Sequence, residues 1–332
     1  MGRVVVTGAS GFIGSAVVRK LLAAQRDVLA VIEPGADTRN LDGLDVERAN
    51  ADVCDARAME RALSGAEALY HLAAVYRIWT PDPELLYRVN VEGTTTVLLA
   101  AQKQRVKRVV HTSSIAAVGL REDGAPSDET TAFNLHALAN HYILTKHLSE
   151  RVALRFAESG LPVVVVNPAF PFGPGDRGPT PTGKILIDVV SGKLPGWSAG
   201  GINAVDVDVV AEGHLLAEAK GRVGERYLLG DHNLTFRELF QAIGEVAAVP
   251  VPDREIPVSV ARALAWAMEK TADWITHTPP TATLRSMQYA TRTAFFDVTK
   301  ARTELGLRSV PLRDTLARAL GWFRDNEVLP RG

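Results

Sequence analysis

Thr7-Gly8-Ala9-Ser10-Gly11-Phe12-Ile13-Gly14 follows the apolar run Val4-Val5-Val6 near the start of the 332-residue chain. Glycines at the spacing G-x-x-G-x-x-G allow a sharp turn and let the backbone approach a pyrophosphate. Apolar residues then recur at helical spacing, and a helix N-terminus provides unpaired N–H groups and a positive dipole end. A tight turn in any α/β protein also uses glycine for steric reasons. The next apolar run, Val28–Ile32, completes a βαβ unit, and this context favours dinucleotide binding.

Composition narrows the classes of partner. Lys and Arg total 37 against 38 Asp and Glu, a net charge of -1, so no global field attracts nucleic acid or an anionic membrane. No apolar run approaches the ~20 residues that span a bilayer. Cys54 is the single cysteine and the eight histidines lack paired ligand spacing, so we expect neither a disulfide nor a metal site. We therefore expect a cytoplasmic protein that binds a small-molecule substrate and has no nucleic-acid or membrane partner.

Strand-like and helical patterns alternate along the first half of the chain. The predicted strands are 3–6, 28–32, 46–50, 68–73, 107–111 and 162–166, and the predicted helices lie near 12–24, 56–63, 84–104 and 140–159. Such alternation predicts an α/β fold of the Rossmann type, a doubly wound parallel sheet with helices on both faces.

The amino-acid composition of the chain changes after residue 167. The segment 167–183 is rich in Pro and Gly, which predicts an irregular loop at the carboxyl end of a strand, where α/β sheets bind ligands. A plain linker between lobes is the alternative. The rest of the chain predicts a smaller, mostly helical C-terminal lobe that binds substrate. Its predicted helices lie near 184–191, 206–219, 235–247, 258–276 and 311–325. We assign residues 1–167 to the dinucleotide-binding domain, together with return segments near 202–230 that include a strand at 226–229. We assign residues 168–200 and 231–330 to the substrate-binding lobe.

Tyr142 and Lys146 lie four residues apart on a predicted helix, so their side chains share one face. A neighbouring ammonium lowers the pKa of a phenol and so favours proton exchange near neutral pH. Ser114 follows a predicted strand, where its hydroxyl can hold a carbonyl oxygen while Tyr142 exchanges a proton with it. The alternatives are a solvated helix face for the pair and a turn cap for Ser114.

These motifs resemble those of the extended short-chain dehydrogenase/reductase superfamily, and the resemblance covers nearly the whole chain. The matching segments are 7–14, Asp52-Val53, 71–74, 90–94, 112–114, Tyr142 to Lys146, Asn167-Pro168, 296–301 and 304–306. The resemblance implies that Ser114, Tyr142 and Lys146 are the catalytic triad. It also implies a homodimer formed through the helices near 87–104 and 142–158.

A set of residues for binding the dinucleotide follows from the motif and the resemblance together. Lys146 is implied to bond the nicotinamide ribose, Asp52 and Val53 to hold adenine, and Asn90 to brace the site. Phe170 stands where many relatives carry a small or polar residue. The complete set is Gly8, Ser10, Gly11, Phe12, Ile13, Gly14, Glu33, Arg39, Asp52, Val53, Leu72, Ala73, Ala74, Asn90, Thr112, Tyr142, Lys146, Pro168 and Phe170.

Glu33 ends the second predicted strand, where a carboxylate accepts hydrogen bonds from the ribose hydroxyls and repels a 2′-phosphate. This position favours NAD over NADP. The opposing possibility is that Arg39 folds back onto a phosphate, and a third is that Glu33 is only a solvated loop charge.

The segments 76–84 and 180–184 resemble a bacterial branch that groups dihydroflavonol-reductase-like proteins with hopanoid-associated sugar epimerases. Ser114 is followed by Ile115-Ala116 rather than the acidic pair usual in the dehydratases. Asp206 would repel a sugar diphosphate if it pointed into the pocket. The alternative is that Asp206 caps the following helix. We therefore expect hydride transfer to or from a hydrophobic ketone, aldehyde or alcohol. The predicted substrate residues are Tyr76, Trp79, Ser114, Phe170, Phe172 and Thr182, with Trp197 assigned to the core.

Two other functions stay open. One is a nucleotide-sugar epimerase or dehydratase with tightly bound NAD. The other is a dinucleotide sensor without catalysis, although sensors of this superfamily often lack the tyrosine or the lysine and this chain has both.

Overall fold

Runs of valine and isoleucine form the strands of a large central sheet, because β-branched side chains suit a buried pleated surface. The computed structural model describes residues 2–77, 79–276, 278, 280 and 283–330, so Ile78 of the 76–84 motif lies outside the described residues. The strands are β1 (Arg3–Thr7), β2 (Val28–Ile32), β3 (Glu47–Asn50), β4 (Ala66–His71), β5 (Arg108–Thr112), β6 (Val163–Pro168), β7 (Phe170–Phe172), β8 (Gly201–Asp206), β9 (Arg226–Leu229) and β10 (His232–Thr235).

Seven of these strands form one sheet in the order β3-β2-β1-β4-β5-β6-β9. Every neighbouring pair in it is parallel. The chain runs outward from β1 to β3 and then returns to place β4 on the other side of β1. Strand order therefore reverses between β1 and β4, and ligands of open α/β sheets bind at the carboxyl side of such a switch point. The doubly wound fold is confirmed, and β9 pairs with β6 at the sheet edge as predicted.

Helices cover both faces of this sheet, and each face has its own apolar core. The helices are α1 (Phe12–Ala23), α2 (Ala56–Ala62), α3 (Glu84–Tyr87), α4 (Thr94–Lys103), α5 (His141–Glu158), α6 (Pro181–Val190), α7 (Val207–Lys220), α8 (Phe236–Ala247), α9 (Val258–Thr271), α10 (Leu284–Ala290) and α11 (Leu312–Asp325). A π-helical stretch, Arg88–Gly93, joins α3 to α4. Among the helices of the described residues, none combines the length and the apolar character that crossing a bilayer requires.

A second sheet of three strands, β10-β8-β7, lies in the smaller lobe and was not predicted. The lobe is otherwise helical, with a core shared by α6, α8 and α11. The prediction of an irregular loop over 167–183 was wrong at both ends: β6 continues to Pro168, and β7 follows it at once. At the other end Thr180 caps α6 and Pro181 occupies its first turn, where proline costs no hydrogen bond.

The return segment near 202–230 divides between the two sheets. Strand β8 belongs to the small sheet, whereas β9 belongs to the large one. Helix α7, between them, packs against α1 and against β6. The substrate lobe is therefore connected to the large sheet through α7 and through the β6–β7 turn.

Candidate active site

The glycine motif forms a turn into which no side chain fits. Gly8 has a φ of +67°, and a Cβ there would lie 2.7 Å from the backbone N of Ala73. A Cβ on Gly14 would lie 2.1 Å from the carbonyl oxygen of Gly8. The first glycine thus permits contact with the segment after β4, and the last lets α1 pack against the turn. These are the roles that a dinucleotide cradle requires of its glycines.

The N-terminus of α1 is open toward this turn. Gly11 is the N-cap residue and offers no side-chain hydrogen bond to the first N–H groups. Asn40 donates from Nδ2 to the carbonyl oxygens of Ser10, at 3.2 Å, and Gly175, at 2.8 Å. Arg19 donates to Asn40 O at 3.0 Å. The turn is thus braced from outside while its helix N–H groups stay available to an anion.

Ser114, Tyr142 and Lys146 meet at the carboxyl edge of the large sheet. Ser114 follows β5, and its Oγ accepts a hydrogen bond from Ala116 N at 3.1 Å, so the hydroxyl also caps a short 3-10 turn. Asn140 caps α5 by accepting from Ile143 N at 2.9 Å, which fixes the first turn and hence Tyr142. Tyr142 hydrogen-bonds Ser114, and Lys146 reaches the carbonyl oxygen of Thr112, two residues before Ser114, so the three side chains lie at one end of β5. Their catalytic role remains a prediction.

Burial dominates the electrostatics of the pair on α5. It raises the pKa of Tyr142 to about 12, and hydrogen bonding to Ser114 acts in the opposite direction. Burial lowers the pKa of Lys146 to about 8, and Glu150 partly offsets that shift. The ammonium of Lys146 donates to Thr112 O at 2.7 Å, and this hydrogen bond fixes the ammonium at the end of β5. A buried cation with few partners is well placed to hydrogen-bond an added polar ligand.

The pKa of Lys146 predicts a pH dependence of stability. Since this pKa falls from 10.5 to about 8 on folding, the unfolded chain binds more protons at this residue between those values. The free energy of unfolding should therefore rise with pH through that window. Urea unfolding at about pH 7.5 and about pH 9.5 should show wild type gaining roughly 1–2 kcal/mol relative to Lys146→Met. The exposed Lys193→Met is the control, and equal pH dependence in wild type and Lys146→Met would contradict the assignment.

A buried network behind Lys146 was missed in the sequence. Asn167 donates to Ser114 O at 2.9 Å and to a carboxylate oxygen of Glu150 at 2.6 Å. Glu150 is 2% exposed, and Arg226 on β9 donates to it at 2.7 Å. The spacing of Glu150, four residues after Lys146 on the same helix face, is the signal that indicates it.

Thr112 is held by a histidine whose tautomer follows from its partners. His214 Nδ1 lies 2.7 Å from Val210 O, which only accepts, so Nδ1 donates. Burial lowers the pKa of His214 to about 4, so the ring is neutral and Nε2 accepts from Thr112 Oγ1 at 2.9 Å. This arrangement fixes the strand end from which Ser114 extends.

Asn90 joins the segment after β4 to helix α5, and its predicted bracing of a bound dinucleotide remains a prediction. Its side chain accepts from Val75 N at 2.7 Å and donates to Val75 O at 3.1 Å and Thr145 Oγ1 at 3.0 Å. Asn90 lies in the π-helical stretch, a distortion that often occurs at functional sites.

The residues assigned to the adenosine end follow β2 and β3. Glu33 is exposed directly after β2, and Val53 is buried. Arg39 Nε donates to Asp37 Oδ1 at 3.0 Å, and this pairing lowers the pKa of Asp37 to about 2. Asp52 accepts from Cys54 N at 2.9 Å. In this arrangement Arg39 is turned toward Asp37.

The predicted substrate residues separate into two groups. The Tyr76 ring meets the Tyr142 ring edge-on with centroids 4.5 Å apart, and Trp79 donates from its indole N to Asp273 Oδ1 at 3.3 Å. Phe170 is half-buried. Phe172, by contrast, is 2% exposed and packs in the core of the small lobe, where its ring offers no surface to a ligand.

Thr182 is also structural in this arrangement. It is buried in the first turn of α6 and donates to Pro171 O at 3.0 Å. Phe172 is brought inward by β7, which the sequence did not predict, and Thr182 by the first turn of α6, which begins before the predicted helix near 184–191. Trp197 packs against the same core, as expected.

Tyr289 on α10 was not selected from the sequence. It packs with Tyr142 against the small cluster of Ala116, Ala139 and Ile143. Its hydroxyl is buried and has no hydrogen-bond partner among the described residues. Burial raises the pKa of Tyr289, and the neighbouring Tyr142 adds to the shift. A lone tyrosine in a weakly amphipathic segment carries no signal that sequence inspection detects.

Asp206 has the second of its two predicted roles, that of a helix cap, and does not point at a diphosphate. Its carboxylate caps α7 by accepting from Asp208 N at 2.8 Å, and it pairs with Arg318. Asp206 is 1% exposed. A neutralised, buried carboxylate does not repel a sugar diphosphate, so this residue is no argument against nucleotide-sugar chemistry.

The sequence is similar to those of known proteins over nearly its whole length. The sequence profile described as the NAD dependent epimerase/dehydratase family matches residues 4–230. The chain belongs to this family. It is 35% identical over 325 residues to sterol demethylase protein B of Methylococcus capsulatus, covering 98% of this chain and 99% of the relative. Extended short-chain dehydrogenases/reductases therefore include this protein, and a nicotinamide cofactor is supported.

Two further relatives extend the comparison. A 4-hydroxy-2-methyl-3-oxo-4-farnesyl-3,4-dihydroquinoline-1-oxide ketoreductase of Stigmatella aurantiaca is 31% identical over 270 residues, covering 79% of this chain and 78% of the relative. The crystal structure of PA4631, a nucleoside-diphosphate-sugar epimerase from Pseudomonas aeruginosa, matches with a TM-score of 0.81 and 30% identity, covering 98% of each chain. Both reductases and epimerases thus share this fold and sequence family.

Proposed function

We propose that this protein is an NAD-dependent oxidoreductase acting on a hydrophobic ketone, aldehyde or alcohol. The proposal rests on the position of Ser114, Tyr142 and Lys146 at the carboxyl edge of the sheet. The aromatic ring of Tyr76 lies beside them. Tyr76 contacts the Tyr142 ring directly, so a substrate at Tyr142 meets an aromatic surface. Pockets of this composition favour apolar ligands with a single polar reacting group.

The cradle fits a dinucleotide, since Gly8 and Gly14 admit no Cβ and no side chain caps the N-terminus of α1. The turn formed by Gly8, Gly11 and Gly14 would hold the pyrophosphate of a nicotinamide dinucleotide, which would supply the hydride-transfer chemistry. In the reductive direction Tyr142 donates its proton to the carbonyl oxygen, and in the oxidative direction it removes the proton from the alcohol. Ser114 holds the same oxygen.

The proposal assigns to Lys146 the lowering of the pKa of Tyr142 once ligands are bound, because in the ligand-free chain only burial and Ser114 act on that phenol. Without ligands the phenol has a pKa of about 12, too high for efficient exchange at neutral pH. A cationic Lys146 favours the phenolate. Glu150 in turn supports the cationic form of Lys146, and Arg226 and Asn167 hold Glu150 in place.

Tyr289 supplies a second polar contact. Its buried, unpaired hydroxyl packs beside Tyr142, where a bound substrate with another oxygen near the reacting carbon would satisfy it. Hydrophobic carbonyl compounds with a nearby second oxygen therefore fit the site. The relatives named for a sterol and for a farnesylated quinoline oxide support this substrate class.

The proposal is tested by a panel assay. NADH oxidation is measured with aromatic, steroidal and isoprenoid ketones, and each ketone is paired with an analogue that lacks the second oxygen. UDP-sugars are incubated with NAD and their products are separated by chromatography, because epimerisation and dehydration cause no net change in NADH. Turnover of the ketones supports the proposal. Conversion of UDP-sugars alone establishes the nucleotide-sugar alternative, which the epimerase-like structure favours. Saturable NADH binding with no turnover indicates a dinucleotide sensor instead.

Glu33 sets the expected cofactor preference. Its exposed carboxylate at the end of β2 should repel a 2′-phosphate, so kcat/KM should be at least about tenfold higher with NADH than with NADPH, a difference of about 1.4 kcal/mol. Glu33→Gln should reduce that ratio. Arg39→Gln should leave it unchanged, because Asp37 holds Arg39. A loss of NADPH use in Arg39→Gln would show that Arg39 binds the phosphate.

The homodimer is part of the same proposal. Leu99 on α4 and Leu148 on α5 are exposed on the helices expected to pair. A cytoplasmic location is proposed with it. Sedimentation of the chain as a monomer at about micromolar concentration would contradict the dimer.

A further inference from the structure

Asn40 lies where the glycine turn meets the substrate-binding lobe. It belongs to the short 3-10 turn Arg39–Leu41, which follows β2. Its side-chain amide has two N–H groups and donates to two carbonyl oxygens. One is that of Ser10 in the glycine turn, at 3.2 Å, and the other is that of Gly175 in the lobe, at 2.8 Å. A single side chain therefore holds together two segments that are far apart in the sequence.

The backbone of Asn40 is itself anchored to helix α1. Arg19 donates from one guanidinium nitrogen to the carbonyl oxygen of Asn40 at 3.0 Å and from another to Ser15 Oγ at 3.2 Å. The guanidinium is planar and rigid, so its two hydrogen bonds fix the distance between their acceptors. The amide of Asn40 is thus a donor with a defined position relative to α1.

The hydrogen bond to Ser10 controls the start of α1. The peptide unit between Ser10 and Gly11 is held from both sides, since the N–H of Gly11 donates to Gly8 O at 3.1 Å and the carbonyl oxygen of Ser10 accepts from Asn40. Because a peptide unit is planar, these two bonds fix its orientation. Gly11 is the N-cap residue of α1, so this plane sets the direction of the first helical N–H groups, which are the groups that bind an anion.

The hydrogen bond to Gly175 reaches the core of the lobe. Asp176 is buried, and its carboxylate accepts from Thr180 N at 2.9 Å and from Thr180 Oγ1 at 2.8 Å. Thr180 in turn caps α6. The guanidinium of Arg177 lies over the ring of Trp322 on α11, 5.8 Å from its centroid. A change in the position of Gly175 is therefore passed to α6 and α11.

We propose that Asn40 is a positioning residue that transmits the binding of a pyrophosphate at the glycine turn to the loop 173–180 of the substrate-binding lobe. This role rests on the dinucleotide site proposed above. An anion that accepts from the first N–H groups of α1 restricts the peptide plane at Gly11, and with it Ser10 O and the amide of Asn40. The second N–H group of that amide then restrains Gly175. By linkage, a restrained loop strengthens pyrophosphate binding by the same factor.

Amide hydrogen exchange of the full chain, with and without saturating ADP, tests this transmission. ADP carries the diphosphate and the adenosine but lacks the nicotinamide half. In wild type, ADP should slow exchange at least about threefold both in 8–15 and in 173–180. In N40A, ADP should slow exchange in 8–15 and leave 173–180 unchanged. The Kd for ADP should also rise at least about threefold in N40A.

Two further variants separate hydrogen bonding from packing. N40D keeps the shape of the side chain but has no side-chain N–H group to donate, so it should behave as N40A does. N233A is the matched control, because it removes an amide in β10 that donates to Phe296 O at 3.0 Å, and it should transmit as wild type does. Urea unfolding of each variant checks that the fold is kept.

Equal slowing of 173–180 by ADP in wild type and N40A overturns the role of Asn40. Slowing confined to 8–15 in wild type overturns it as well, and this result needs no variant that folds. Transmission in N40D as in wild type would show that Asn40 only fills space. Wild type that binds neither ADP nor NADH contradicts the dinucleotide site and the role of Asn40 together, whereas binding without transmission contradicts the role of Asn40 alone.

Discussion

Tyr142→Phe should lower kcat on a substrate of this protein by about 10²- to 10⁴-fold, the usual contribution of a positioned general acid or base. The variant keeps the ring that packs against Tyr76 and loses only the hydroxyl. Affinity for NADH should change little, since the glycine cradle and Lys146 are untouched. Single-turnover measurements and NADH titration separate the two effects.

Tyr87→Phe is the matched control for that experiment. Tyr87 hydrogen-bonds His141 at the start of α5, at 3.2 Å, so its hydroxyl touches the same helix but not the site. Its removal should leave kcat within about twofold of wild type, as expected of a change outside the chemistry. Near wild-type kcat in Tyr142→Phe would refute the proposed proton exchange.

Gly14→Ala should weaken both dinucleotide binding and the fold. The new Cβ would lie 2.1 Å from Gly8 O and 2.9 Å from Gly8 C, so backbone must move. Overpacking of this kind costs about 1–3 kcal/mol in the free energy of unfolding. Because the displaced turn is the proposed pyrophosphate site, the Kd for NADH should rise at least about tenfold.

Gly178→Ala provides the comparison for Gly14→Ala. A Cβ on Gly178 would meet no atom within 4 Å, so both its stability and its Kd should match wild type. Unfolding curves and NADH titrations of the two variants, measured side by side, decide the matter. An unchanged Kd in Gly14→Ala would remove this glycine from the cradle.

The large sheet was predictable because its strands are uninterrupted apolar runs, such as Val163–Val166, that a parallel sheet buries on both faces. The small sheet was not. Strand β7 consists of three residues, Phe170-Pro171-Phe172, and a proline in so short a run conceals the alternation. Strand β10 pairs with β8 across more than twenty residues, a contact that local patterns do not encode.

The residues of the candidate site were likewise predictable only in part. Tyr142 and Lys146 were found because helical spacing puts them on one face. Phe172 was misplaced because an aromatic residue near a ligand loop suits a pocket wall and a core equally, and only β7 decides between them. Tyr289 reaches Tyr142 from α10, almost 150 residues later, through tertiary packing alone.

The ion pair between Glu150 and Arg226 has a consequence for biosynthesis. Glu150 is buried beside Lys146, yet its cationic partner lies 76 positions later, on the edge strand β9. A buried carboxylate without its partner costs several kcal/mol. During translation, therefore, helix α5 acquires its final arrangement only after β9 has emerged from the ribosome and docked on β6, although the turn formed by the glycine motif can form much earlier.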